Sequence, residues 1–161
     1  MAAGSTYTPI ATTTLGSSQS TVTFSGIAST YTDLVLVING TASSTNNHLI
    51  RFNNDSASNY SYTDLYGDGG SAGSGRASNS TGIFIGNGSA TNYTKIVQIM
   101  NYANTTTYKT ALNRSNSPAE AVAAEVGTWR STAAINRVDV VATAGSMNTG
   151  LTMTLYGIAA A

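Results

Sequence analysis

Leu34-Val35-Leu36-Val37-Ile38, entered through Tyr31-Thr32-Asp33 and closed by Asn39-Gly40, decides the fold. Five consecutive large apolar residues, three of them β-branched, are too few to span a membrane and too rich in strand formers for a helix. The stretch therefore reads as a strand in the middle of a sheet, covered on both faces. Leu34, Leu36 and Ile38 project to one side and Val35 and Val37 to the other. The first set fills a core. The second asks for a further layer or a neighbouring subunit.

Outward from this strand the chain is a succession of short, strand-like segments. Ser20 to Ser25 alternates, with Val22 and Phe24 inward against Thr21 and Thr23, the pattern of a half-buried strand. His48 to Asn53, Tyr60 to Thr63, Ile83 to Ile85, Val138 to Ala142 and Leu151 to Leu155 read the same way. His48 is expected at a loop-to-strand boundary. Lys95 to Tyr102 and Tyr108 to Arg114 read as the arms of a hairpin, with Val97 and Ile99 near Leu112 and Thr110. Residues 1–19, polar and interrupted by Pro9, read as an extended N-terminal arm or a first edge strand, with Tyr7 and Ile10 among their few large apolar side chains. Gly67 to Gly75 has backbone freedom and nothing to bury, and is expected to be a mobile surface loop.

Ser117-Pro118-Ala119-Glu120 has the form of a helix capping box with proline at the first helical position. Val122, Ala124 and Val126 fit equally a strand leading into Trp129, and a two-turn helix is marginal without packing. Helix and strand both stay open over 118–126, with strand ahead. About nine or ten short strands and no long helix indicate an all-β chain, an antiparallel, jelly-roll-like β-sandwich. The 161 residues form one domain (1–161), long enough to bury about 70% of the surface an unfolded chain exposes.

Charged residues are 9% of the chain, against about 25% in an ordinary soluble domain, and seven acidic side chains balance seven basic ones. Such a chain has no long-range field with which to collect nucleic acid or an anionic membrane surface, so neither is an expected partner. Low net charge also removes the repulsion that keeps copies apart. Without cysteine there is neither a disulfide nor a thiolate metal site. The opening Met-Ala-Ala-Gly-Ser-Thr-Tyr lacks the basic and apolar regions of a secretory signal, and no apolar run is long enough for a transmembrane helix.

Three patterns in the chain have the form of catalytic or metal sites, and each has a structural alternative. Gly69-Gly70-Ser71-Ala72-Gly73 matches G-x-S-x-G, but a nucleophile elbow needs a strand before the serine, a helix after it and a later histidine; the single histidine, His48, precedes it. Asp64 and Asp68 with loop carbonyls could hold calcium, yet their spacing lacks the regularity of a calcium loop and suits a solvated turn better. Glu120 and Glu125 could form an acid and base pair for glycoside chemistry, whereas capping and surface solvation explain them more simply. The expectation is a non-enzymatic protein with no cofactor, no metal site and no catalytic residue.

Several phrases resemble small virion structural proteins of tailed bacteriophages, those of cyanobacteria and other aquatic hosts in particular. They are Tyr7-Thr8-Pro9-Ile10-Ala11, Phe24-Ser25-Gly26-Ile27, Asn59-Tyr60-Ser61-Tyr62, Gly75-Arg76-Ala77-Ser78, Met100-Asn101-Tyr102-Ala103-Asn104, Val126-Gly127-Thr128-Trp129-Arg130-Ser131 and Leu155-Tyr156-Gly157-Ile158. The resemblance implies a particle component made in the host cytoplasm and carried in the virion. One form is a decoration (cement) protein on the capsid exterior, partnered by the major capsid protein and by itself as a homotrimer. The other is a tail or fibre adhesin, with Trp129 and tyrosines stacking on glycans. For the decoration protein, the candidate subunit or shell interface is Tyr7, Pro9, Ile10, Val35 and Val37.

Overall fold

The structure, a computed structural model, describes residues 6–159. These residues are all-β: twelve antiparallel strands in two sheets, arranged as a jelly-roll-like sandwich. The strands are β1 (Tyr7–Thr14), β2 (Thr21–Ser25), β3 (Asp33–Gly40), β4 (Asn46–Phe52), β5 (Tyr60–Gly67), β6 (Ala72–Ser80), β7 (Ile83–Gly88), β8 (Tyr93–Met100), β9 (Lys109–Ser117), β10 (Ala121–Trp129), β11 (Arg137–Ala142) and β12 (Thr152–Ile158). Eight form one sheet in the order β1-β12-β3-β8-β9-β10-β5-β6, and four form the other in the order β2-β11-β4-β7.

The deciding stretch becomes β3, an interior strand between β12 and β8. Leu34, Leu36 and Ile38 are fully buried between the sheets, beside Met153 and Leu155 of β12 and Val97 and Ile99 of β8. Val22 and Phe24 face them from the small sheet with Ile50, Phe52, Val138 and Val140. Burying this many large apolar side chains at about 25 cal/mol per Å² is the main force holding the two layers together.

Four local expectations are corrected. Twelve strands replace nine or ten. Residues 67–75 are not a loop: the chain turns at Asp68 to Ser71 and returns as β6, paired with β5 from Gly67↔Ala72 to Tyr60↔Ser80. The turn is held by Asp68, whose Oδ1 accepts the backbone N–H groups of Gly70 (2.8 Å) and Ser71 (2.7 Å), and Gly69 supplies the positive φ of 89°. The β8–β9 hairpin forms, but Val97 pairs with Asn113 and Ile99 with Ala111, so Leu112 and Thr110 lie on the opposite face. His48 sits within β4, wholly buried, rather than at a boundary.

Two open readings are decided. Residues 121–129 are strand, paired on both sides by β9 and β5. The Ser117-Pro118-Ala119-Glu120 phrase that suits a helix start makes the β9–β10 turn instead, closed by Glu120 N–H donating to the Ser117 carbonyl at 2.8 Å. Between arm and edge strand, residues 7–14 take the second: β1 pairs along β12 with a register shift between Pro9 and Ala11. The proline, which has no N–H to give a ladder, sits on an edge strand at that irregularity.

Candidate functional site

The two faces of the large sheet offer different chemistry. On its outer face, Val35 lies between Tyr156 and Gln98, and Val37 between Thr154 and Ile96. These cross-strand neighbours already bury Val35, while Val37 stays half-buried. The Tyr7 ring meets Tyr156 edge-on at 6.1 Å and Pro9 pairs with Tyr156, so Tyr7, Pro9 and Val35 gather around one tyrosine. Ile10 does not join them; it is half-buried and packs against the core.

Further along the outer face, sequence reasoning passed over a more exposed apolar patch. Leu65 (62% exposed) pairs with Ala124, flanked along β10 by Val122 (58%) and Val126 (49%); Leu112 is the partner of Val126 on β9. The alternation in Val122-Ala123-Ala124-Glu125-Val126 carried this signal. Its apolar set points away from the sandwich because Glu125 and Gly127 occupy the inner parity.

The inner face changes character where the small sheet ends. Strand β7, the last of the four, packs against β10, β9, β5 and β8. Beyond it lies a cleft of about 360 Å³ with Phe84, Gly86 and Asn87 of β7 on one side and Tyr66, Asp64, Glu125 and Ser117 of the large sheet on the other. Cross-strand pairing puts Asp64 beside Glu125 and Glu125 beside Asn113, all on the inner face. Glu125 is fully buried; Asn113 Nδ2 donates to its Oε2 and Ser115 Oγ to its Oε1 at 3.2 Å. Burial pushes the Glu125 carboxyl above its usual range, partly offset by those two hydrogen bonds and by the charge of Lys95.

Lys95, likewise fully buried, donates from Nζ to the Gly86 carbonyl at 2.7 Å and lies 5.1 Å from the Tyr93 ring centroid. Burial pulls its ammonium down to about 7, against the opposing influence of Glu125. His48 stands edge-on to Tyr93 at 5.5 Å; burial, then the Lys95 charge, lowers it to about 3. Neither of its ring nitrogens has a hydrogen-bond partner, so the neutral ring is held by packing.

Glycines shape the cleft walls. A Cβ on Gly75 would run into the Asp64 carboxylate, one on Gly73 into the Tyr66 ring, and one on Gly86 into Ser115 and Glu125. Gly86 also holds a φ of 80°, which other residues rarely adopt. Two acceptor-bearing groups remain unpartnered in the lining: Ser117 Oγ, on a residue only 5% exposed, and Asn87 Oδ1.

The structure separates Ser71 from His48 but brings both carboxylate pairs that the sequence grouped, Asp64 with Asp68 and Glu120 with Glu125, to the lining of this cleft. Ser71 lies in the β5–β6 turn with its hydroxyl on Asp68, and His48 is buried in β4, so no serine–histidine pair exists between them. Asp68 closes its turn while Asp64 faces the cleft beside Glu125. Glu120 accepts the Thr45 hydroxyl at 2.5 Å. Among the described residues no three His, Cys, Asp or Glu side chains gather as a metal-binding group. Trp129 is core: 3% exposed, stacked on Tyr60 at 6.2 Å, with Nε1 donating to Asp55 at 2.7 Å, and so closed to a glycan.

No protein-family model matches the sequence, and no curated protein matches it. Among solved structures the chain is similar to exo-inulinase from Aspergillus awamori, at 10% identity and a TM-score of 0.45 over 94% of this chain and 29% of that one. It is also similar to a galectin of Caenorhabditis elegans, at 8% identity and a TM-score of 0.40 over 92% and 96% of the two chains. The mouse laminin α1 LG4-5 domains resemble it at 11% identity and a TM-score of 0.36, over 89% of this chain and 40% of theirs. The chain thus spans under a third of the inulinase. Likeness at this level bears on nothing beyond the general fold.

Proposed function

We propose that this chain is a non-catalytic structural protein of a bacteriophage particle, a decoration protein that seats on the outside of the head shell as a trimer and stabilises it. The observation that carries the reading is the apolar patch of Leu65, Val122 and Val126 on the outer face of the large sheet. A cluster of exposed aliphatic side chains on an otherwise polar surface marks a site covered by another protein. Tyr7, Pro9 and the half-buried Val37 continue the same face toward β1, giving one uninterrupted sheet surface for a shell protein or a second copy, with Val35 buried beneath its neighbours there. The neutral composition and the resemblance to small virion proteins support the same assignment. Three is the number suited to local threefold positions of a shell, and closed symmetry is the rule for homo-oligomers.

The test is co-sedimentation with purified phage heads, followed by heating of the decorated shells. The expected result is saturable binding and a raised temperature of shell disruption, with Val122→Lys and Val126→Lys together weakening binding by at least about tenfold, since buried unpaired charges are costly. Protein that stays in the supernatant overturns the reading. Turnover of a glycan or ester that disappears in Glu125→Gln or Ser71→Ala overturns its non-catalytic part.

A further inference from the structure

We infer that the cleft between β7 and the β9–β10–β5 part of the large sheet is a binding site for a neutral saccharide. It lies on the face opposite the proposed docking surface, so shell binding leaves it open, and the inference does not rest on that reading.

The lining selects the ligand class. Negatively charged ligands are disfavoured because Asp64, Asp68, Glu120 and Glu125 all reach the cleft, while the nearby cation, Lys95, already donates to the Gly86 carbonyl. A divalent cation is disfavoured because no three ligating side chains converge among the described residues. Asp68 is occupied by the turn amides, Glu120 Oε1 by Thr45 and both Glu125 oxygens by Asn113 and Ser115, which leaves Asp64 as the carboxylate of the lining without a hydrogen-bond partner among the described residues. Burial favours the uncharged form of Glu125, a state that suits hydroxyl partners better than an ammonium.

Ser117 supplies the independent sign of a ligand. Its residue lines the cleft and is almost wholly buried, and its hydroxyl bonds to nothing among the described residues; across the cleft on β7, Asn87 Oδ1 is also a buried atom without a partner. Buried polar atoms without partners are costly, and ligand hydroxyls reaching them would satisfy each. The apolar part of a sugar also has its counterpart. Tyr66, 41% exposed, lies across Gly73 in a position that any larger residue there would displace, and Phe84, packed on Tyr62 at 5.6 Å, faces it from β7. Aromatic faces pack on C–H groups while carboxylates and amides take the hydroxyls. The volume of about 360 Å³ falls in the range of small-molecule pockets. Glycines at 73, 75 and 86 leave the room that Tyr66, Asp64 and Ser115 occupy at the cleft wall.

The experiment is an amide NMR titration of the full chain with glucose, galactose, mannose, N-acetylglucosamine, maltose, cellobiose and lactose. At least one sugar is expected to shift the resonances of Tyr66, Gly86, Asn87 and Ser117 with a dissociation constant on the order of 1 mM, leaving Val35 and Val37 unmoved. Ala123→Trp, which fills the cleft, and Tyr66→Ala, an exposed change that the fold tolerates, should each weaken binding at least about tenfold. Three results overturn the inference. They are a cleft unmoved by every sugar, sugar binding unaffected by both variants, and spermine binding there more tightly than any sugar, which would mark a cation site.

Discussion

Along the inner face of the eight-stranded sheet, two halves that share the same strands behave as different materials. The row Leu36, Val97 begins as dry core under the small sheet and continues, strand by strand, into Asn113, Glu125, Asp64 and Gly75. The change falls where β7, the edge of the four-stranded sheet, ends the cover. Eight strands faced by four cannot be covered throughout, and what lies beyond the cover must be satisfied by hydrogen bonds rather than by packing. The apolar half makes the fold; the polar half is where a ligand finds room.

Truncation in the covered half should have the largest effect. Leu36→Ala removes a fully buried side chain between two sheets that cannot collapse independently, at a cost of about 2–5 kcal/mol in urea unfolding. Tyr66→Ala in the other half should stay within about 0.5 kcal/mol, as an exposed change does. A comparable loss at both sites would mean that the cleft is part of the cooperative core.

The buried ionisable residues sharpen the contrast through pH. His48 is held at about 3 in the folded chain against 6.5 when unfolded, so between these values the unfolded state binds a proton that the folded state does not. Stability therefore falls as pH drops from 6.5 toward 3, by roughly 1.4 kcal/mol per pH unit from this group. Lys95, lowered from 10.5 to about 7, acts in the same direction over that higher window. Against wild type, His48→Leu should lose this share of the acid dependence, leaving it about 2 kcal/mol ahead at pH 5 relative to their difference at pH 8. Equal slopes for the two proteins would place His48 in contact with water.

Glu125 works with the opposite sign. Its folded carboxyl is raised above the unfolded value of 4.5, so its contribution is lost as pH rises through the folded value, and at neutral pH the ionised form is the costly one. Glu125→Gln should stabilise at pH 7 by an amount on the order of one hydrogen bond, ~1 kcal/mol, because the new amide can donate to the unpartnered Asn113 Oδ1. The advantage should vanish in acid. Destabilisation at pH 7 would show that the negative charge is held by interactions stronger than its burial cost.

The covered half was legible in the sequence and the open half was not, for one physical reason. Period-two alternation reports burial against an apolar layer, so it marks Val22, Phe24, Leu34, Leu36 and Ile38, all buried. Strand β6 buries nothing of its own: its Gly73 and Gly75 make space for Tyr66 and Asp64, and a glycine run of that kind looks like a loop until its partner strand is known. Charged residues read as surface for the same reason. Yet Lys95 shares the parity of Val97 and Ile99, and Glu125 that of Gly127 and Trp129, and this placed both inside. What no sequence pattern carries is the end of β7, which decides where core gives way to cleft. The extra layer that Val35 demands is likewise supplied within its own sheet, by Tyr156 and Gln98.

The outer face gives the smallest effect on stability and the clearest separation of folding from assembly. Val122 and Val126 are about half exposed, so replacing both by threonine exchanges one methyl of each for a hydroxyl that water can reach and keeps the β-branch that suits a strand. The unfolding free energy should shift by no more than about 0.5 kcal/mol. In the proposed trimer, self-association would depend on the same atoms differently, because seated through this face they would lose their water altogether. Sedimentation should show the wild-type oligomer persisting as salt is raised, since few charges are there to be screened, and the double variant dissociating at every salt concentration. A wild-type monomer at micromolar concentration, or an oligomer that salt disperses, would remove the apolar patch as the source of assembly and leave Arg114, beside Ala124 on the same face, as the group to examine.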